Sequence, residues 1–238
     1  MFKKYFKSLD LLKAFEKFPL SASIAVLSTC CMIAIIDFED NNILAKTTIA
    51  GYLAFLCAIS AEVHRNLSEK VWVLILPFLV FATYYLYLPN DFSDVPRYLE
   101  HRYVYRLLGS ALILHLIISF IPYLKRSSEE DFWEYNKHLF LRIFESGLFS
   151  AIIFLGLSLA ILAVDKLFGI NVDGKWYARL WIFLIGIFNS LYFLSKFPDI
   201  DYNGDTEKPA HAYKVFSQFQ LKSITSEKVA DLKSPNSP

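Results

Sequence analysis

The chain has 238 residues, 55% of them hydrophobic and 17% aromatic, with a mean hydropathy of +0.38. Soluble domains are about 45–50% apolar. Here the excess is gathered into nearly uncharged runs, each of roughly the length that crosses ~30 Å of hydrocarbon as a helix. A net charge of +1 gives no electrostatic case for nucleic acid, and none is expected as a partner.

Residues 1–18 place Phe2, Tyr5, Phe6, Leu9, Leu12 and Phe15 on one helical face and lysines on the other. This predicts an amphipathic helix at about 2–18 lying in a headgroup layer, or else packing on its own protein. The first apolar run, about 19–36, lacks a small-residue cleavage site and is read as a retained anchor. The second span is about 44–61, with Lys46 and Glu62 expected to snorkel at its two ends. Ala50, Ala54 and Ala58, with Gly51 and Ala61 beside them, have the spacing that lets helices approach closely in lipid. The third span, about 71–88, has Trp72 at one end and Tyr84, Tyr85 and Tyr87 at the other, as an aromatic belt.

Asp94 before Pro96 reads as a helix start leading into the fourth span, about 107–124. Ser127 and Ser128, with Glu130 and Asp131 three residues on, resemble capping boxes. They open a second interfacial amphipathic helix at about 129–145. The fifth span is about 146–164, with Gly169 as its stop and with Gly147, Ala151, Gly156, Ala160 and Ala163 expected to face neighbouring helices. The sixth span is about 177–197. The polar segment 199–238 has the composition of a partly disordered tail.

The fold expected is an all-α, polytopic membrane bundle of six transmembrane helices over 19–198, plus the two interfacial helices. With six spans, 17 of the 24 Lys and Arg residues fall on one side. By the positive-inside rule both termini are cytoplasmic.

Chemistry is sparse. Cys30, Cys31 and Cys57 lie inside apolar runs without metal-ligand spacing and read as packing residues. Asp199-Ile-Asp201-Tyr-Asn203-Gly204 matches the first half of a calcium loop. Pro209 and Ala210 stand where the loop needs its closing carboxylate, so it reads as an acidic turn. The sequon Asn66-Leu-Ser68 falls in a predicted cytoplasmic turn. No nucleotide loop, nucleophile elbow, zinc-protease helix or dinucleotide fingerprint occurs. No catalytic residue, metal or cofactor is expected.

Two polar positions stand out within the spans. His115, near the middle of the fourth, is either a neutral imidazole bonded to a neighbouring helix or part of a proton or ion path. Asn189, near the middle of the sixth, is its candidate partner. Arg102 and Arg106, one turn apart at the outer end of the fourth span, are either contacts for an anionic ligand or headgroup or interfacial anchors. Arg142 and Glu145 are expected to pair with each other.

One stretch is family-specific. An aromatic leader with Phe132, Trp133, Tyr135 and Asn136 is followed by Leu141-Arg142 and Gly156-Leu-Ser-Leu-Ala160. Then come Asp165-Lys-Leu-Phe-Gly169, Leu180-Trp181, Gly186 and Phe188-Asn189. It resembles the bacterial membrane proteins of the domain of unknown function 4153 family, over roughly residues 15–220. The resemblance implies a multi-spanning protein of the bacterial inner membrane and brings no catalytic residue. Similar proteins continue into further apolar spans after a segment like Ala212–Phe219, whereas this chain turns polar at Gln220, as a truncated or frame-shifted copy, or a fragment, would.

The function expected is therefore a non-enzymatic membrane module. Its surroundings are the lipid bilayer and its partner is another membrane protein or a second copy of itself. The alternative is a permease or channel component for a small solute or ion. A cavity joining His115 to Arg102 and Arg106 would favour transport; a dry bundle with His115 capped by Asn189 would favour the module.

Overall fold

The computed structural model describes residues 11–38, 41–68, 70–91, 97–121 and 129–198. Most of the amino-terminal amphipathic stretch, the Asp94–Pro96 start, the Ser127 and Ser128 caps and the Asp199 turn lie outside these residues. Among the described residues every regular element is helical. They are α1 (Lys13–Lys17), α2 (Pro19–Ile35), α3 (Asn42–Ser68), a 3-10 turn (Val71–Ile75) leading into α4 (Leu76–Tyr87), α5 (Arg97–Phe120), α6 (Glu129–Phe168), α7 (Lys175–Phe183), a π-helical segment (Leu184–Asn189) and α8 (Ser190–Ser195). Four stretches are long and apolar enough to cross a membrane: Asn42–Asn66, His101–Phe120, Glu129–Phe168 and Lys175–Ser195. Two more apolar helices, Pro19–Ile35 and Val71–Tyr87, are shorter.

Local chemistry sets the ends. Asn41 Oδ1 accepts the Leu44 N–H at 3.1 Å and opens α3. Glu129, Glu130 and Asp131 sit in the first turn of α6, where carboxylates oppose the helix dipole favourably. That helix stops at Gly169, whose φ of +61° is the left-handed stop expected from sequence. Asp173 Oδ1 accepts the Lys175 N–H at 2.9 Å at the start of α7. No glycine or proline separates 129 from 146, so the aromatic leader and the fifth span form one uninterrupted helix. The leader is not a separate interfacial helix as the sequence had implied. Tyr135 and Leu139 of the leader are buried, whereas Trp133, Phe140 and Phe144 are exposed.

The helices close a ring: α3 packs on α2, α2 on the α7–π–α8 segment, that segment on α6, α6 on α5, and α5 back on α3, with α4 docked outside against α3. Over half of the apolar window of α3 is enclosed (56%), against 6% for α6, so α3 is the centre of the packing. In lipid, apolar burial gives little association energy, and close packing and hydrogen bonds decide which helices meet. The small residues of α3 serve this role: Ala50, Gly51, Ala54, Ala58 and Ala61 are all buried. A Cβ on Gly51 would meet Ser28 Cβ at 3.1 Å. Those of the fifth span do not. A Cβ on Gly147 or Gly156 meets nothing within 4 Å, and Gly156, Ala160 and Ala163 are exposed.

Polar ties bind the two ends of the ring. At one end Glu62, fully buried, accepts the Leu20 N–H at 2.9 Å, the Ser21 N–H at 3.0 Å and the Ser21 hydroxyl. The uncapped start of α2 is thus satisfied by a side chain from α3. Phe18 and Phe197 pack edge to face nearby, 4.9 Å apart. At the opposite end Lys46, 5% exposed, donates to Asn90 Oδ1 at 2.9 Å and lies 4.7 Å from the Tyr85 ring centre. There too Arg179 of α7 pairs with Asp37 after α2 and stacks on Trp176. Neither Lys46 nor Glu62 snorkels; each is held inside by a specific partner.

Candidate functional site: an uncharged cavity inside the helix ring

A cavity of about 660 Å³ lies inside the ring, within the ~300–1,000 Å³ usual for small-ligand sites. Every ring helix contributes to it: Thr29 from α2, Thr48 from α3, His115 from α5, Asn136 from α6, and Trp181 and Asn189 from the sixth-span segment. Its wall carries no Asp, Glu, Lys or Arg. Met32, Tyr52, Phe140 and Trp181 are exposed residues of its lining.

His115 and Asn189 are brought to the same cavity but do not pair. His115 Nδ1 lies 2.8 Å from the Ala111 carbonyl, one turn back on its own helix. A carbonyl only accepts, so Nδ1 carries a proton. Asn189 closes the π-helical segment, an irregularity frequent at functional positions. Its Oδ1 is buried with no hydrogen-bond partner.

The other polar groups of the wall divide into two kinds. Thr29, Ser119 and Ser146 donate to carbonyls of their own helix, Ala25, His115 and Ile143, at 2.7, 3.4 and 2.9 Å. Asn136 Nδ2 donates to Phe132 O at 2.9 Å and to Ser119 O at 3.4 Å, tying α6 to α5. Thr48 Oγ1, in contrast, is buried without a partner. Thr48 was not singled out in the sequence. A hydroxyl in a helix ordinarily bonds its own preceding turn, so sequence carries no signal that this one does not.

Arg102 and Arg106 do not reach the cavity. Both are exposed. Arg106 donates to the Tyr87 hydroxyl, and its guanidinium lies 5.3 Å from that ring centre, as an anchored interfacial residue would. Arg142 pairs with Glu145 at 2.9 Å as expected, and Glu145 also accepts the Tyr192 hydroxyl at 2.8 Å. Among the described residues no group of three His, Cys, Asp or Glu side chains is placed to hold a metal ion.

These observations define the class: a membrane protein, helical throughout its described residues, with a cavity whose wall carries no Asp, Glu, Lys or Arg. The family model described as Domain of unknown function (DUF4153) matches residues 22–221, and the chain belongs to that family. No curated protein and no solved structure matches it.

Proposed function

We propose that this protein is a non-enzymatic membrane module that binds a membrane-soluble molecule in its central cavity and acts through a membrane-protein partner or a second copy. In this reading the bundle crosses the bacterial inner membrane six times, the two shorter apolar helices included, and both termini are cytoplasmic. The four long apolar helices and the two shorter ones support the crossing number. The lysine and arginine distribution supports the orientation.

The observation that carries the reading is the uncharged wall, which ends short of Arg102 and Arg106. Ions in a low-dielectric interior need compensating charge or a water path, and the wall supplies no charge. One observation favours the alternative of a permease or channel component: His115 and Asn189 both face the cavity. The test is the full-length chain in liposomes loaded with a pH-sensitive dye, under imposed proton and potassium gradients. The binding module predicts dye traces equal to those of empty vesicles. Flux that is lost in His115→Leu would replace the module with the permease. Crosslinking with mass spectrometry from native membranes then identifies the partner, and an alkaline phosphatase fused after Pro238 is expected to be inactive.

A further inference from the structure

We propose that the cavity holds one unsubstituted hydrocarbon chain lying along the helices; this deepens the ligand-binding reading above and rests on it. Polar residues are frequent in the lining, yet the surface the cavity presents is mostly apolar. The hydrogen bonds explain why. Thr29, Ser119 and Ser146 turn their hydroxyls to carbonyls of their own helices. His115 Nδ1 does the same with Ala111 O, and Asn136 Nδ2 is held by Phe132 O and Ser119 O. Thr48 Oγ1 and Asn189 Oδ1 have no partner, but both atoms are buried, so a guest in the cavity reaches neither. Toward a guest the wall offers chiefly side chains such as Phe55, Ile59, Leu139, Ile143, Ile185 and Phe193. A hydroxyl carried into such a space gives up hydrogen bonds it does not recover, and an ionised headgroup gives up far more. A hydrocarbon gives up neither, and apolar cavities stay dry and take apolar guests.

The reach of the lining selects a chain over a compact guest. It runs along α3 from Thr48 to Ile59 and along the sixth-span segment from Trp181 to Phe193, about 16 and 18 Å of helix at ~1.5 Å per residue. A cavity of about 660 Å³ drawn out over that length is longer than it is wide.

Trp181, exposed and part of the lining, gives a direct readout. The full-length chain in lipid nanodiscs is titrated with 1-bromododecane, whose bromine quenches indole fluorescence, and a Trp181→Phe variant assigns the quenched signal. Quenching is expected to saturate and to be reversed by dodecane. At equal mole fraction in the bilayer, dodecan-6-ol should displace the probe about tenfold less well, because its hydroxyl would sit unpaired within the cavity. Cyclododecane, the same carbon count in compact form, should also displace it less well than dodecane. Nanodiscs of straight-chain and of methyl-branched lipids distinguish the source of the chain. Tighter apparent binding of the probe in the branched lipid means that acyl chains of the bilayer compete for the cavity, and equal binding means that a free hydrocarbon is the occupant. Displacement by dodecan-6-ol as good as by dodecane overturns the apolar assignment, and equal displacement by cyclododecane overturns the chain; either leaves the cavity reading standing. Absence of saturable quenching by 1-bromododecane overturns the proposal outright. The cavity reading survives that result if 12-bromododecan-1-ol quenches saturably and falls with it if neither probe does.

Discussion

Glu62 offers the sharpest test of how the bundle is held together. Helix α2 begins Phe18-Pro19 with no capping side chain of its own, and its first free N–H groups lie inside the protein. Glu62, 42 residues later, accepts two of them and the Ser21 hydroxyl. Glu62→Ala leaves the Leu20 and Ser21 N–H groups without an acceptor, at about 1–3 kcal/mol each. It also removes a carboxylate from a helix N-terminus, worth about 1 kcal/mol. Relief of the buried charge's desolvation offsets part of this, and the serine hydroxyl can rotate to a carbonyl of its own helix. A net loss of about 3 kcal/mol follows. Glu62→Gln keeps one acceptor oxygen and should lose about half as much.

At about 2–4 °C per kcal/mol for a chain of this size, Glu62→Ala lowers the midpoint of thermal unfolding by about 6–12 °C. Glu62→Gln lowers it by about 3–6 °C. Intrinsic tryptophan fluorescence of the detergent-purified chain reads the midpoint. Amide hydrogen exchange over residues 18–24 reads the cap itself, with faster exchange expected at Leu20 and Ser21 in both variants. A Glu62→Ala protein that melts within about 2 °C of the parent, with those amides still protected, would refute the cap.

Gly186→Ala should destabilise by about 1–3 kcal/mol, because a Cβ there would come within 2.9 Å of Thr29 Cβ. Gly156→Ala, whose Cβ meets nothing, should be neutral or stabilising by up to about 1 kcal/mol from helix propensity alone; the difference between the two melting midpoints is the check. Tyr192→Phe removes the donor to Glu145 and should cost about 1 kcal/mol, and a double-mutant cycle with Glu145→Ala should return most of it as coupling. Asp37→Asn breaks the pair with Arg179, whose two side chains are 50% and 24% exposed. Its effect should stay below about 1 kcal/mol and shrink in high salt, a contrast with Glu62 measurable in the same melts.

The positions of the apolar helices were legible because composition and length alone mark them: the run read at 19–36 is α2 at Pro19–Ile35. The break read at 145 was not real, because the chain changes there from amphipathic to apolar without any residue that stops a helix. A change of surroundings along one helix looks, in sequence, like a boundary between two. Small-residue spacing shows the same limit. It recurs on α3 and α6, yet only on α3 does a neighbour occupy the approach it permits. The candidate site was half legible. His115 and Asn189 stood out as polar groups in apolar runs, but their partners depend on which helices adjoin, and His115 bonds its own preceding turn. Glu62 left a trace that could have been followed: a helix start with proline and no cap needs an acceptor from elsewhere, and an antiparallel neighbour puts a carboxylate at the right end.

The distribution of satisfied and unsatisfied groups bears on function. At both ends of the ring the polar side chains are matched: Glu62 to α2, Lys46 to Asn90, Arg179 to Asp37, Tyr135 to Ile118 O. These ties, with the close approaches at Gly51 and Gly186, suffice to explain which helices adjoin. Among the described residues the buried side-chain atoms left without partners are Thr48 Oγ1, Asn189 Oδ1 and Ser158 Oγ, and Thr48 and Asn189 are among the residues around the cavity. They make no hydrogen bond between helices, and replacing them with valine and leucine should make the bundle as stable or more so. If Thr48→Val with Asn189→Leu melts above the parent, the two unpaired atoms are a cost to stability that helix packing does not require. A double variant that melts well below the parent would mean instead that they hold the bundle through contacts of their own.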